Sequence, residues 1–146
     1  MTAVLDRPFE VLLVDDDDAD IALITEAFAT HHAPVRLHTA GDGVDALAFL
    51  RREGGHRGAP RPDLILLDLN MPRMDGREVL AVVKADPDLG AIPVVVFTTS
   101  ERGEDVVASY TRHANAYVTK PLDLDELDAV IGKIYDFYGT LVTRPR

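Results

Sequence analysis

The sequence predicts an α/β protein of the (βα)5 type: a five-stranded parallel sheet in the order 2-1-3-4-5, doubly wound by helices on both faces. Three observations carry this. Short apolar runs alternate five times with amphipathic stretches over short connections, the pattern of βαβ units. The central run, Leu64-Ile65-Leu66-Leu67, is apolar without alternation, as a strand covered on both faces must be, and Pro62, Pro72 and Gly76 punctuate it. The polar residues that end these runs all fall at carboxyl ends, on one edge of the sheet. Crossovers between parallel strands are right-handed, and 2-1-3-4-5 is then the common solution for five strands.

Taken in order, Phe9-Glu10-Val11-Leu12-Leu13-Val14 reads as the first strand and stops at Asp15-Asp16-Asp17-Asp18. From Ala19 the period changes to that of a helix, with Ile21, Leu23, Ile24, Ala27 and Phe28 on one side and fraying near His31-His32. Pro34 resets the chain, and Val35-Arg36-Leu37-His38-Thr39 alternates as a second strand. Gly41-Asp42-Gly43 turns into a helix opened by Asp42 or Gly43, with Val44, Leu47, Ala48 and Leu50 as the expected buried stripe. Residues 53–62 form a loop rich in Gly, Pro and Arg. The third strand spans 63–68, and a helix near 76–85 carries Val79, Leu80, Val82 and Val83 until Asp86-Pro87. Pro93 leads into the fourth strand, Val94-Val95-Val96-Phe97, which stops at Thr98-Thr99-Ser100. A short helix over 104–112 carries Val106, Val107 and Tyr110. A fifth strand over 114–119 ends at Lys120-Pro121, and Asp123 caps a last helix running to about Tyr138.

The bulk numbers fit one domain. The chain has 146 residues and 47% hydrophobic content. Only residues 139–146 follow the last helix, too few for a second domain. Cysteine is absent, which excludes a disulfide framework and a thiolate site. No stretch approaches the roughly 20 apolar residues of a membrane span, so the expected location is the cytoplasm, away from the membrane. A net charge of −10 disfavours nucleic-acid binding and suits cations or a basic partner surface.

The sheet edge concentrates chemistry. The first strand delivers Asp15 and Asp16, the third Asp68, the fourth Thr98 and the fifth Lys120. Strands one and three are neighbours in this order, so three carboxylates meet. Like charges so close repel unless a cation joins them, and all-oxygen donors suit Mg2+ or Mn2+. The plainer reading of Asp15 to Asp18 is an acidic run capping the next helix. Carboxylate, hard cation, ammonium and hydroxyl together make a phosphoryl-transfer set in which a carboxylate accepts the phosphoryl group. No glycine-rich phosphate loop follows the first strand.

These residues resemble the receiver domain of two-component response regulators, the CheY-like variant of the flavodoxin fold. The motifs are Val14-Asp15-Asp16, Leu66-Leu67-Asp68-Leu69-Asn70-Met71-Pro72 with Asp75-Gly76, Phe97-Thr98-Thr99, and Tyr117-Val118-Thr119-Lys120-Pro121. The resemblance covers about Phe9 to Tyr138. It implies that Asp68 is the phosphoacceptor for a sensor histidine kinase. It implies that Asp16, Asp68 and the Asn70 backbone carbonyl bind the metal, with Asp15 acting through water or from behind. Lys120 would meet the phosphoryl charge, across a Lys120–Pro121 bond that is usually cis in this family. Thr98 and Tyr117 would form the switch, and Asn70 and Ser100 would tune hydrolysis. The resemblance implies a switch with Mg-dependent self-phosphorylation and autodephosphorylation, and not an enzyme with a separate substrate.

The Gly/Arg loop at 53–61 and the tail from Asp136 to Pro145 are similar to single-domain regulators paired with phytochrome-type kinases. The last helix carries one apolar stripe of Leu127, Ile131, Ile134 and Tyr138, and a second of Val130, Phe137 and Leu141. One covers the sheet. The other is left for a partner or for the tail folding back, and a homodimer through Tyr110, Tyr135, Phe137, Tyr138 and Leu141 is the expectation. Two alternatives stand beside the switch. One is a receiver-like scaffold that is never phosphorylated. The other is a small Mg-dependent aspartyl-phosphate phosphatase of the haloacid-dehalogenase kind, built on Asp15-Asp16-Asp17, although Ala19 stands where Thr or Val is needed.

Overall fold

The structure, a computed structural model, describes residues 8–30 and 34–144. Five parallel strands pair in the order β2-β1-β3-β4-β5. They are β1 (Phe9–Val14), β2 (Val35–Ala40), β3 (Leu64–Leu67), β4 (Val94–Thr98) and β5 (Ala116–Thr119). The helices are α1 (Asp18–Ala29), α2 (Gly43–Arg51), α3 (Gly76–Ala85), α4 (Gly103–Thr111) and α5 (Leu124–Ile134), and a π-helical segment, Tyr135–Leu141, extends the last.

Alternate residues of each strand face opposite layers. Val11, Leu13, Leu64, Leu66, Val95 and Phe97 pack with Ile24 and Phe28 of α1 and Leu127, Ile131 and Ile134 of α5. Leu12, Val14, Ile65, Leu67, Val94 and Val96 pack with α2 and α3. Register sets the working edge: Val14 lies beside both Ala40 and Leu67, Leu67 beside Val96, and Thr98 beside Thr119. The residues just beyond β1, β3 and β4 therefore emerge together.

Aspartates start most of the helices. Asp17, Asp42, Asp75 and Asp123 each accept backbone N–H bonds at an N-cap, and Asp75 completes a capping box with Glu78. Gly76 is required by contact. A Cβ there would lie 2.0 Å from the carbonyl oxygen of Asp68, so α3 begins directly against the chain that carries that carboxylate.

Several elements depart from the sequence reading. In α2, Val44 is exposed and Phe49 buried. Gly43 abuts Met74, where a Cβ would lie 2.5 Å from the Met74 carbonyl, and this close approach turns Val44 outward. In α4, Val107 and Tyr110 are exposed, and the inward residues are Asp105 and Ser109. Strand β5 starts two residues late because Asn115 spends its side chain on the Val94 N–H. The 53–62 loop contains a short 3-10 turn, Gly54–His56. His31 and His32 lie outside the described residues. No cis peptide occurs among the described residues, so Lys120–Pro121 is trans.

The chain end folds partly back. Tyr135, expected on a partner surface, is instead core: it is buried against Phe9, ring centroids 5.8 Å apart. Gly139 leaves room for it, since a Cβ there would lie 2.9 Å from the Tyr135 ring. Tyr138 is half-buried against the α1/α5 layer. Arg144 bonds Asp63 at 3.0 Å and lies over the Phe9 ring. Phe137 and Leu141 stay exposed.

Candidate phosphoacceptor and metal site

The carboxyl ends of β1 and β3 bring Asp15, Asp16 and Asp68 together, each offering an oxygen within 4.8 Å of the others. Their exposures differ: Asp15 is fully buried, Asp68 half-buried and Asp16 exposed. Asp15 is also spent. One of its oxygens accepts the Asp17 N–H at 2.9 Å, and the other meets Lys120 Nζ at 2.8 Å. Burial pushes its carboxyl up, and the Lys120 hydrogen bond pulls against that. Asp16 and Asp68 remain open for an incoming ion, with Asp15 behind them.

Lys120 is buried at the end of β5. Burial alone would lower its pKa, but hydrogen bonds to Asp15 and Asp20 and the charge of Asp68 outweigh this and raise it. It stays an ammonium. Nζ lies 2.9 Å from Asp20 and 3.6 Å from Asp68, so the lysine already faces the place where new negative charge would arrive.

Asp20 was missed by sequence reading. It lies in the first turn of α1, just after the Asp17 N-cap, and meets Lys120 from there, a contact across the fold that no local spacing announces.

Thr98 ends β4 fully buried, and its Oγ1 has no hydrogen-bond partner. An orphan hydroxyl this deep costs about 1–3 kcal/mol. Two residues on, Ser100 accepts at its carbonyl from the Tyr117 hydroxyl, 2.9 Å away, and Tyr117 itself is half-buried. The Tyr117 N–H donates to the Tyr110 hydroxyl at 3.1 Å. Asn70, two beyond Asp68, is exposed.

Residues 11–132 match the model of the response regulator receiver domain. The chain belongs to that family. Receivers are signalling switches that accept a phosphoryl group on an aspartate. The chain is 47% identical over 138 residues to the response regulator Rcp1 of Synechocystis sp., covering 94% of each chain. It superposes with TM-score 0.92 and 46% identity on the phosphorylated cyanobacterial phytochrome response regulator RcpA, covering 96% of this chain and all of the other. The Mn2+-bound form of Rcp1 superposes with TM-score 0.89 and 47% identity, over 95% of this chain and all of that one.

The receiver's donor set fits Mg2+ or Mn2+: all oxygen, closely spaced and partly solvent-open. The phosphatase reading fails on geometry as well as on family. It needs Asp15 and Asp17 aimed together at a substrate. Asp17 is instead an exposed N-cap accepting from Ala19 and Asp20, and Asp15 is sealed against Lys120. No helix among the described residues is long and apolar enough to cross a membrane.

Proposed function

We propose that Asp68 is the phosphoacceptor of a cytoplasmic response regulator served by a phytochrome-type sensor histidine kinase. An Asp68 carboxylate oxygen attacks the phosphorus of a phosphohistidine. The P–N bond breaks, the imidazole leaves, and an acyl phosphate remains. Asp16, Asp68 and the Asn70 carbonyl would hold the cation, with Asp15 acting from behind or through water, and that cation would supply charge neutralisation for the transferring phosphoryl group. Lys120 answers the added charge of about −1.5 to −2. Thr98 gives its unpartnered hydroxyl to the phosphoryl group, Tyr117 follows, and Asn70 and Ser100 govern water attack. The domain assists its own phosphorylation and dephosphorylation and turns over no other substrate.

The observation that carries this reading is the meeting of three carboxylates within 4.8 Å under a buried lysine, beside a buried hydroxyl with no partner. The kinase class rests on the likeness to Rcp1 and to RcpA, whose name is that of a phytochrome response regulator. The output surface is a homodimer contact through Phe137, Leu141 and Tyr110, which stand exposed on the last helix and α4, with Tyr138 at its margin. Phosphotransfer profiling tests the pairing. Labelled kinases are mixed with this receiver, and a phytochrome-type kinase should label Asp68 fastest. Equal or faster labelling by unrelated kinases would refute the pairing.

A further inference from the structure

Helix α4 turns a charged side chain inward. Asp105, in its first turn, is 8% exposed. A buried carboxylate needs partners for its oxygens. Oδ1 accepts from Arg77 Nη2 at 2.9 Å, and Oδ2 accepts from the Ser100 hydroxyl at 2.7 Å. The Ser100 bond, then the Arg77 bond, holds this carboxyl below its ordinary range.

Arg77 breaks a local rule as well. It lies in the first turn of α3, where the helix dipole disfavours a cation. Its guanidinium crosses to α4 nonetheless, and Nη1 lies 3.5 Å from both Asn70 Oδ1 and Asp75 Oδ2. One ion pair thus ties together the segments that follow Asp68 and Thr98. It holds the side chain of the second residue beyond each: Asn70 on one side, Ser100 on the other.

We propose that Arg77 and Asp105 are positioning residues that set the lifetime of the acyl phosphate, by drawing the Ser100 hydroxyl and the Asn70 carboxamide away from it. The inference rests on Asp68 being the phosphoacceptor. In hydrolysis a water oxygen attacks phosphorus and the bond to the Asp68 oxygen breaks. The carboxylate is restored, and inorganic phosphate leaves with the water's protons shared between it and solvent. A hydroxyl or carboxamide able to orient that water hastens the step. Ser100 has one proton to donate, and Asp105 takes it. Releasing the pair frees Ser100 and Asn70 to turn toward the line of attack.

The test uses the full chain, loaded with acetyl phosphate and Mg2+, desalted, and followed by intact mass. Arg77→Gln and Asp105→Asn should each shorten the phosphoryl lifetime about three- to tenfold. The double variant should match the singles, because the two residues act as one unit. Adding Ser100→Ala to Asp105→Asn should restore most of the lifetime, a rescue that a general loosening of the fold would not give. The rate of labelling of Arg77→Gln and of Asp105→Asn by acetyl phosphate should stay within about twofold, which separates positioning from damage to the site. Arg77 is the more exposed partner, so Arg77→Gln alone still decides the matter if Asp105→Asn fails to fold. Unchanged lifetimes, multiplying effects in the double variant, or no rescue by Ser100→Ala would overturn the proposal. If the unmodified chain labels on a residue other than Asp68, the reading beneath it falls too, and peptide mapping of the label distinguishes the two failures.

Discussion

Thr98 shows how a single residue can be tuned for a state other than the one observed. Its buried hydroxyl lacks a partner, which works against the resting fold. Thr98→Val should therefore leave stability unchanged or raise it by about 1 kcal/mol, read as the urea midpoint, while abolishing any phosphorylation-dependent change in Tyr117. The acidic pocket makes a second residue-scale prediction. A cation bound by the folded state alone stabilises by mass action, about 2.7 kcal/mol at a hundred times its dissociation constant. Mg2+ should raise the melting temperature by several degrees in the unmodified chain and far less in Asp16→Asn, measured by thermal unfolding. Asp68, Lys120, Thr98 and the aspartates after β1 were legible in the sequence because each ends an apolar run. Asp20 and the Arg77–Asp105 pair were not, because their partners lie a helix away and no local pattern records a crossing.

At the scale of elements, helix starts and strand ends fix the site. Gly76 places α3 against the carbonyl of Asp68. Gly76→Ala should destabilise the fold by about 1–3 kcal/mol in chemical denaturation, and should slow labelling even where the chain remains folded. The caps give a pH signature. Asp42 has its carboxyl held below the ordinary value, first by the Asp45 N–H and then by Arg73, and Asp105 is held down by Ser100 and Arg77. A depressed folded pKa means the unfolded chain binds more protons in that window. The stability these groups contribute is present above the ordinary value of 3.8 and is lost as pH falls through the folded values. Melting temperature should fall from roughly pH 5 to pH 3, and less steeply in Asp42→Asn. All five strands and five helices could be read from period and punctuation. The errors were of facing: Gly43 docking turned Val44 outward, and a polar inner face on α4 contradicted a reading based on Val107 and Tyr110.

At the scale of the whole molecule, charge and shape separate two jobs. The net charge of −10 includes the aspartate-rich edge proposed to take the phosphoryl group. The proposed dimer contact uses the exposed apolar side chains of α4 and the π-helical segment. The sequence showed a surplus apolar stripe on the last helix but not its division. Tyr135 went to the core because Gly139 left room for its ring, and Arg144 pinned the chain end to Asp63. Phe137 and Leu141 remained. Phe137→Asp with Leu141→Asp should weaken self-association of the phosphorylated chain at least about tenfold in sedimentation without lowering its melting temperature.

Everything proposed for this edge depends on Asp68 taking the phosphoryl group. Intact mass after acetyl phosphate and Mg2+, run on the unmodified chain, Asp68→Asn and Asp15→Asn, tests it most directly. The unmodified chain should gain the mass of one phosphoryl group, Asp68→Asn should gain none, and Asp15→Asn should label more slowly but measurably. Labelling of Asp68→Asn at the unmodified rate, or no labelling of the unmodified chain with Mg2+ present, would contradict it.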